Sequence, residues 1–407
     1  MAIQDLLAAV QSDFGKKWKK KEDQPLLRLA SDVPPATGLA IDNPLLEFIL
    51  DRRFLAYGRC NLIYGKKGCS KTSLFLYLAK LFQQNGGDVV WIETEKAADL
   101  DYAKKQGVDT SRLIMPETDS LQQALTTAEL VIKNLPKAYP DGNTPVLICL
   151  DSIAGCITDY ELGDDINVGQ VKIGEHARIM SSFYRRIVEP LSHEKAIFLG
   201  LNQLKDKIGG MSGFGEPGEA LIGGEAQRFH STYQLKVVRT KDMVMAQANG
   251  AERKVGSRHK ITCKRNKLGR EGNSQEIEFD LYIDGGPDFY SPLVRKLGDE
   301  YKTPIFKKKG YYDWLIPNVE YDTVDELGNP CKALIPCGED AKSLRESELA
   351  GMIARSTQAK DIIRKEFEIP DLPPQEIVEE IEKENKKKRG RKKVEDVDDT
   401  KAIKDIL

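Results

Sequence analysis

Between residues 60 and about 203, short apolar runs alternate with helix-length segments: CNLIY (60–64), VVWIE (89–93), PVLICL (145–150) and AIFLGL (196–201). Runs this short and continuous predict strands buried on both faces, and their alternation with helices predicts an α/β fold with a doubly wound, mostly parallel twisted sheet. The segment SLFLYLAKLFQQNGG is apolar almost all round and stops at Gly86 and Gly87, as a buried helix does. YQLKVVR, HKITCKR and QEIEFDLYI, between 231 and 283, predict that the sheet continues through adjacent antiparallel strands. At the start of the chain Ile3, Leu7, Val10 and Phe14 draw one apolar stripe on a short helix, which alone is marginal and needs a partner surface. The charged, proline-broken KKWKKKEDQPLLRL and then VPPATG read as a connector, so 1–35 forms an arm ahead of an α/β core over 36–290. Residues 291–370 read as a small α+β domain with helix-compatible pieces at 341–367. From 371 to 407 an acidic run, KKKRGRKK (386–393) and EDVDD read as a charged, disordered tail.

A chain of 407 residues has room for two or three domains and a large core. Its 61 Lys+Arg against 63 Asp+Glu leave a net charge of −2, so any polyanion-binding surface must come from local clustering. Seven cysteines without a CxxC pair predict reduced thiols, a cytoplasmic location and no metal site, with Cys331 and Cys337 as loop thiols. No signal core and no apolar stretch near ~18 residues occurs, so a soluble chain with no membrane span is expected. Trp18, Trp91 and Trp314 read as packing residues, and His193 and His230 as isolated, His230 being structural.

GKKGCSKT follows a strand and opens a helix, the context of a phosphate-binding loop. Main-chain N–H groups of Gly65, Lys66, Lys67, Gly68, Cys69 and Ser70 would wrap phosphates, Lys71 would reach the β and γ oxygens, and the Thr72 hydroxyl, next to Ser73, would ligate Mg²⁺. Ser70 stands where the pattern GxxxxGK[ST] has glycine, and its Cβ is expected to strain the loop. The next strands end in Glu93 and Glu95, in Asp151 and Ser152, and in Asn202 and Gln203, groups that should converge on that loop. Asp151 fits a carboxylate holding magnesium through water, and Glu95 one that orients or deprotonates attacking water. Seven of the sixteen residues from Gly209 to Gly224 are glycine, in a segment (204–226) where Lys205 and Lys207 alternate with Ile208, Met211 and Phe214. Such a segment pairs phosphate-binding charge with groups able to slide between bases. A second loop (161–178) leads into a helix bearing Arg178, Arg185 and Arg186, of which Arg178 and Arg185, seven apart, share a face. KRNK (264–267) by itself reads as a solvated charged turn.

The order of phosphate loop, TEKAADLDYAKKQGVD, ICLDS, GLNQ, glycine-rich loop, GGEAQRF and IEFDLYIDGGPDFY resembles the RecA family of homologous recombinases over about 1–290, with Ser70 and the altered tail marking a divergent, phage-type member. The resemblance implies an ATPase using ATP and Mg²⁺, a helical homo-oligomer on single-stranded DNA that pairs it with homologous double-stranded DNA in recombination and DNA repair, and single-strand-binding and loader proteins as further partners. By similarity Glu95 is the catalytic carboxylate, Asp99 and Tyr102 contact adenine, Asp151 is the magnesium-associated aspartate and Gln203 the γ-phosphate sensor. Ile173 and Gly174 match a pair whose apolar side chain wedges between base triplets, and Arg178 and Arg185 match phosphate-contacting arginines. In the glycine-rich loop Lys205, Lys207, Ile208, Gly223 and Gly224 match DNA-binding positions. Arg265 and Lys267 match two lysines that reach the ATP of the adjacent subunit. The N-terminal stripe resembles the arm that packs on a neighbour, and Ile283 stands where a second adenine-contacting tyrosine is expected. Two other readings stay open: a ring-forming helicase of the same fold, and a non-catalytic single-stranded-DNA-coating protein consistent with Ser70.

Overall fold

The apolar runs become neighbours in one sheet because each hides both faces. In a computed structural model, which describes residues 2–17, 29, 35–163, 174–206, 219–246, 251–270, 275–301, 303–308, 310–325, 328–337 and 343–371, the chain runs through α1 (Ala2–Lys17), β1 (Gly38–Ala40), α2 (Pro44–Leu50), β2 (Phe54–Ala56), β3 (Arg59–Gly65), α3 (Lys71–Gln84), β4 (Asp88–Glu93), α4 (Leu100–Lys105), β5 (Leu113–Ile114), α5 (Leu121–Ala138) and β6 (Val146–Asp151). There follow α6 (Glu175–Leu191), β7 (Ala196–Asp206), β8 (Glu219–Leu221), α7 (Ala226–His230), β9 (Tyr233–Ala246), β10 (Glu252–Asn266), β11 (Glu276–Tyr282), β12 (Gly286–Asp288) and α8 (Tyr290–Lys296). Two small hairpins, β13 (Ile305–Lys308) with β14 (Tyr311–Trp314) and β15 (Glu320–Val324) with β16 (Pro330–Leu334), then precede α9 (Glu346–Ala354) and α10 (Thr357–Glu366).

The main sheet has the order β12-β11-β10-β9-β3-β7-β6-β4-β5, with β8 on β7. It is parallel from β5 to β9. Alternate residues divide between its faces: Val89, Trp91, Leu147 and Cys149 join the core with α3, whereas Val90, Ile92, Ile148 and Leu150 pack with α5 and α6. Trp91 and Trp314 are both fully buried. The expected antiparallel continuation holds for β9, β10 and β11, but β9 itself enters parallel to β3. After β7 the chain crosses by way of β8 and α7 to the starting end of β3, where the Thr232 N–H donates to the Cys60 carbonyl, so both strands set out from the same end.

Of the N-terminal stripe, Ile3 is 65% exposed and Leu7 and Val10 half-buried, while the Phe14 side chain lies outside the described residues, as does the tail from 372. Among the described residues no helix is long and apolar enough to cross a membrane.

α10 is tied to α2 by a buried ionic knot. Arg364 donates twice to the buried Glu47 carboxylate, both at 2.7 Å, and to Asp42 at 3.0 Å, while Lys360 donates to Asp42 at 2.7 Å. Phe367 packs beside it on Phe48, ring centroids 4.7 Å apart. Arg364→Ala would strand the Glu47 charge in the core and should lower unfolding free energy by about 3–5 kcal/mol. Denaturant titration measures it, and a loss below about 1 kcal/mol would mean that Glu47 does not depend on Arg364.

Candidate functional site

Four strand tips meet at one end of the sheet. Gly65 of β3 is level with Gln203 of β7, and Glu93 of β4 with Asp151 of β6. Adjacent strands thus set Glu95, Asp151, Gln203 and the 65–72 loop side by side, where open α/β sheets hold ligands.

Close approach demands Gly65: a Cβ there would stand 2.2 Å from the Val237 carbonyl oxygen of β9. Gly68 takes a left-handed φ of 75° in open space, with Lys66 and Lys67 beside it on an exposed rim and Cys69 buried beneath. Ser70 is also left-handed, φ 65° and ψ 34°, which costs a residue bearing a side chain about 1–2 kcal/mol. The Lys71 ammonium lies inside the loop, donating to the carbonyls of Gly65 at 3.4 Å and Lys66 at 3.1 Å. Thr72 donates to Asp151 Oδ2 at 2.9 Å, and the Ser73 and Tyr102 hydroxyls share a 3.0 Å bond.

Burial first, then the charges of Glu95 and Glu93, push Asp151 up to about 6 against the Thr72 hydrogen bond and the Lys71 charge. A buried carboxylate under such pressure is relieved by a cation. Among the described residues no three His, Cys, Asp or Glu side chains converge as a metal cage. Magnesium requires none, since it keeps waters and takes one or two protein oxygens together with phosphate oxygens. Thr72 Oγ1 and Asp151 Oδ2 are a pair that fits it.

The two glutamates of the β4 tip have separate tasks. Glu93 is buried and accepts the main-chain N–H groups of Lys96 at 2.7 Å, Glu95 at 3.0 Å and Ala97 at 3.2 Å, and so builds the turn. Glu95 is thereby aimed across the strand tips, where its Oε1 accepts from Ser152 Oγ at 2.5 Å and Gln203 Nε2 at 3.0 Å. Beside them lies a cleft lined by Thr72, Leu76, Trp91, Glu95, Ala98, Asp99, Tyr102 and Asp151. Asp99 caps α4, accepting the Tyr102 N–H at 2.9 Å. Ile283 is exposed at the end of β11.

The flanks of the two glycine-bearing loops come together. Gly223 and Gly224 have φ of 81° and 76°, and a Cβ on Gly224 would stand 2.6 Å from that of Ala177, so the second loop ends packed on the first turn of α6. Gly174 (φ 81°) precedes that turn, and Arg178 and Arg185 project from the exposed face of the helix. Arg186 turns away to Glu129 of α5 at 2.7 Å. Asn202, next to Gln203, donates at 2.7 Å to both the Ile222 carbonyl and Gln227 Oε1, and Gln227 in turn donates to the carbonyls of Ile222 at 2.6 Å and Gly224 at 3.0 Å. Gln227 had no signal beyond its place in GGEAQRF. Ile173, Lys207, Ile208 and the Lys205 side chain lie outside the described residues.

Arg265 and Lys267 are not brought to this site. Arg265 pairs with Gln234, which pairs with Leu62, and the Lys267 N–H donates to the carbonyl of Thr232, itself bonded to Cys60. Lys267 is therefore at the starting end of β3, about 17 Å from Gly65 at ~3.3 Å per residue. Its ammonium donates at 2.5 Å to the carbonyl of Phe229, an exposed residue. Partial burial, then the nearby Arg265 charge, hold the Lys267 pKa below its ordinary value. His230 stacks on Tyr184 at 5.5 Å, a structural contact.

A parallel sheet with a phosphate loop after a central strand and acidic groups on the neighbouring tips defines a P-loop nucleotide-binding domain. The family model for the RecA N-terminal domain matches residues 2–286. Protein RecA of Symbiobacterium thermophilum is 29% identical over 309 residues, covering 76% of this chain and 81% of that protein. Those of Mycolicibacterium gilvum and Kineococcus radiotolerans are 31% and 30% identical over 286 residues, 70% of this chain and 74% of each relative. The chain belongs to the RecA family of recombinases.

Proposed function

We propose that this protein is a DNA-dependent ATPase that assembles as a helical filament on single-stranded DNA and pairs it with a homologous duplex, in cytoplasmic recombination and repair. The observation that carries the reading is the hydrogen-bonded path from Glu95 through Gln203 and Asn202 to Gln227 and the glycine-rich loop. It joins the phosphate site to a segment packed on the helix that bears Arg178 and Arg185, so a ligand that repositions Gln203 also biases the DNA-facing loops.

Lys71 and the main-chain N–H groups of its loop hold the β and γ phosphates, with Asp99 and Tyr102 at the adenine. Thr72, with Asp151 acting through water, holds Mg²⁺, whose charge offsets that of the phosphates. Glu95 orients and deprotonates the attacking water, and Gln203 reads the γ-phosphate. Arg265 and Lys267 serve the site of the next subunit, where they stabilise charge developing on the transferred phosphoryl group. Ile173, Gly174, Lys205, Lys207, Ile208, Gly223 and Gly224 line the DNA with Arg178 and Arg185. The 65% exposure of Ile3 in the apolar stripe supports an arm that covers this stripe on a neighbouring copy.

Strand exchange measured with homologous and heterologous duplexes tests the whole reading. Product is expected only with homology and only with ATP, and Lys71→Ala should abolish it. Exchange by that variant, or product regardless of homology, would refute the assignment, and closed rings on DNA in negative stain would favour a helicase.

A further inference from the structure

His259 has no sequence motif around it, yet it is the side chain behind the phosphate loop. It lies on β10, fully buried, with its ring stacked on Phe279 at 4.9 Å and 19°. Its Nε2 is 3.2 Å from Ser70 Oγ and 2.8 Å from Ser257 Oγ. Ser70 occupies the N-cap position of α3, where a serine hydroxyl ordinarily accepts a helix N–H, but it makes no such bond.

We propose that His259 is a positioning residue of the phosphate loop, holding the Ser70 hydroxyl so that this departure from glycine keeps the left-handed main chain on which nucleotide binding depends. The role rests on the nucleotide-site reading above. Glycine visits the left-handed region about as readily as the right, whereas serine there is held against a steric bias. A Ser70 free to relax would swing the N–H groups of residues 69–72 off the phosphates. The hydrogen bond to a ring that cannot move supplies the missing constraint. Stacking on Phe279 fixes the plane of that ring, and Ser257 fixes its rotation. Burial, then the Arg239 charge, lower the His259 pKa to about 4, so at neutral pH the ring is uncharged, and Nε2 is the ring atom that faces both serine hydroxyls. In a loop with glycine at this position the histidine would keep its contact with Ser257 but have no loop hydroxyl to hold. Ser70 and His259 therefore act as one unit.

A double-mutant cycle on the full-length protein tests this, with fluorescent ADP affinity as the readout and thermal melting beside it. His259→Phe keeps the stack and removes the nitrogen; His259→Gln keeps an acceptor. In the parent, His259→Phe is expected to weaken ADP binding about tenfold, the scale of one lost hydrogen bond in a fixed site, with His259→Gln recovering part of the loss. In a Ser70→Gly background the same His259→Phe change should cost less than about twofold relative to Ser70→Gly alone. Equal losses in both backgrounds, or no loss in the parent, would overturn the role of His259 while leaving the nucleotide site standing. A parent that binds no ADP would overturn the nucleotide reading and this role with it.

Discussion

Glu95→Gln is expected to lower DNA-stimulated ATP turnover by about 10²–10⁴-fold while nucleotide affinity changes little. The variant keeps the shape of the side chain and can still accept from Ser152 and Gln203, so the strand tips should stay in register. What it loses is the negative charge and the capacity to take a proton from water. The effect should therefore fall on the chemical step rather than on binding, which the phosphate loop carries. Neighbouring Glu93 cannot substitute, because both its oxygens are committed to the main chain of residues 95–97. Phosphate release with single-stranded DNA, set beside a fluorescent nucleotide titration, separates the two quantities. Turnover within threefold of the parent would remove Glu95 from the reaction.

The second large effect belongs to Arg265→Ala combined with Lys267→Ala. Charges of this kind, supplied from a neighbour, are worth about 10³–10⁵ in turnover, so the double variant should be nearly silent in filaments although dispersed chains still bind nucleotide. The physical ground is position: Arg265 is level with Leu62 midway along β3 and Lys267 with its starting end, so neither is level with the chain's own phosphate loop. Mixing gives the decisive measurement. Neither the double variant nor Glu95→Gln has a complete site, but in a mixed head-to-tail filament an interface that takes Glu95 from one protein and Arg265 with Lys267 from the other is whole. Random equimolar assembly should then restore about one quarter of parental turnover. If the residues acted within one chain, no complete site could form and the mixture would stay silent.

The phosphate loop was readable because its chemistry is contiguous: a strand, a short glycine-bearing turn and a helix start suffice to define it. Strand tips were readable for a related reason. A parallel α/β unit places each C-terminal end on one edge, so the order of Glu95, Asp151 and Gln203 along the chain already implied their meeting. Sequence could not separate Glu93 from Glu95, since two carboxylates two apart at a strand end differ only in which way the turn aims them.

Taken alone, then, the amino-acid order determined the α/β class, the nucleotide loop and the family, all carried by local pattern and spacing. Tertiary structure alone decided that β9 runs with β3, that Lys267 sits at the starting end of β3 rather than beside the phosphate loop, that Arg364 closes on Glu47 across 317 positions, and that Ser70 leans on His259 across 189. Each of these depends on strand register or on two groups distant in the chain sharing a dry pocket. Neither leaves a period or a motif, because the cost of an unpaired buried polar group is set by what folding places beside it.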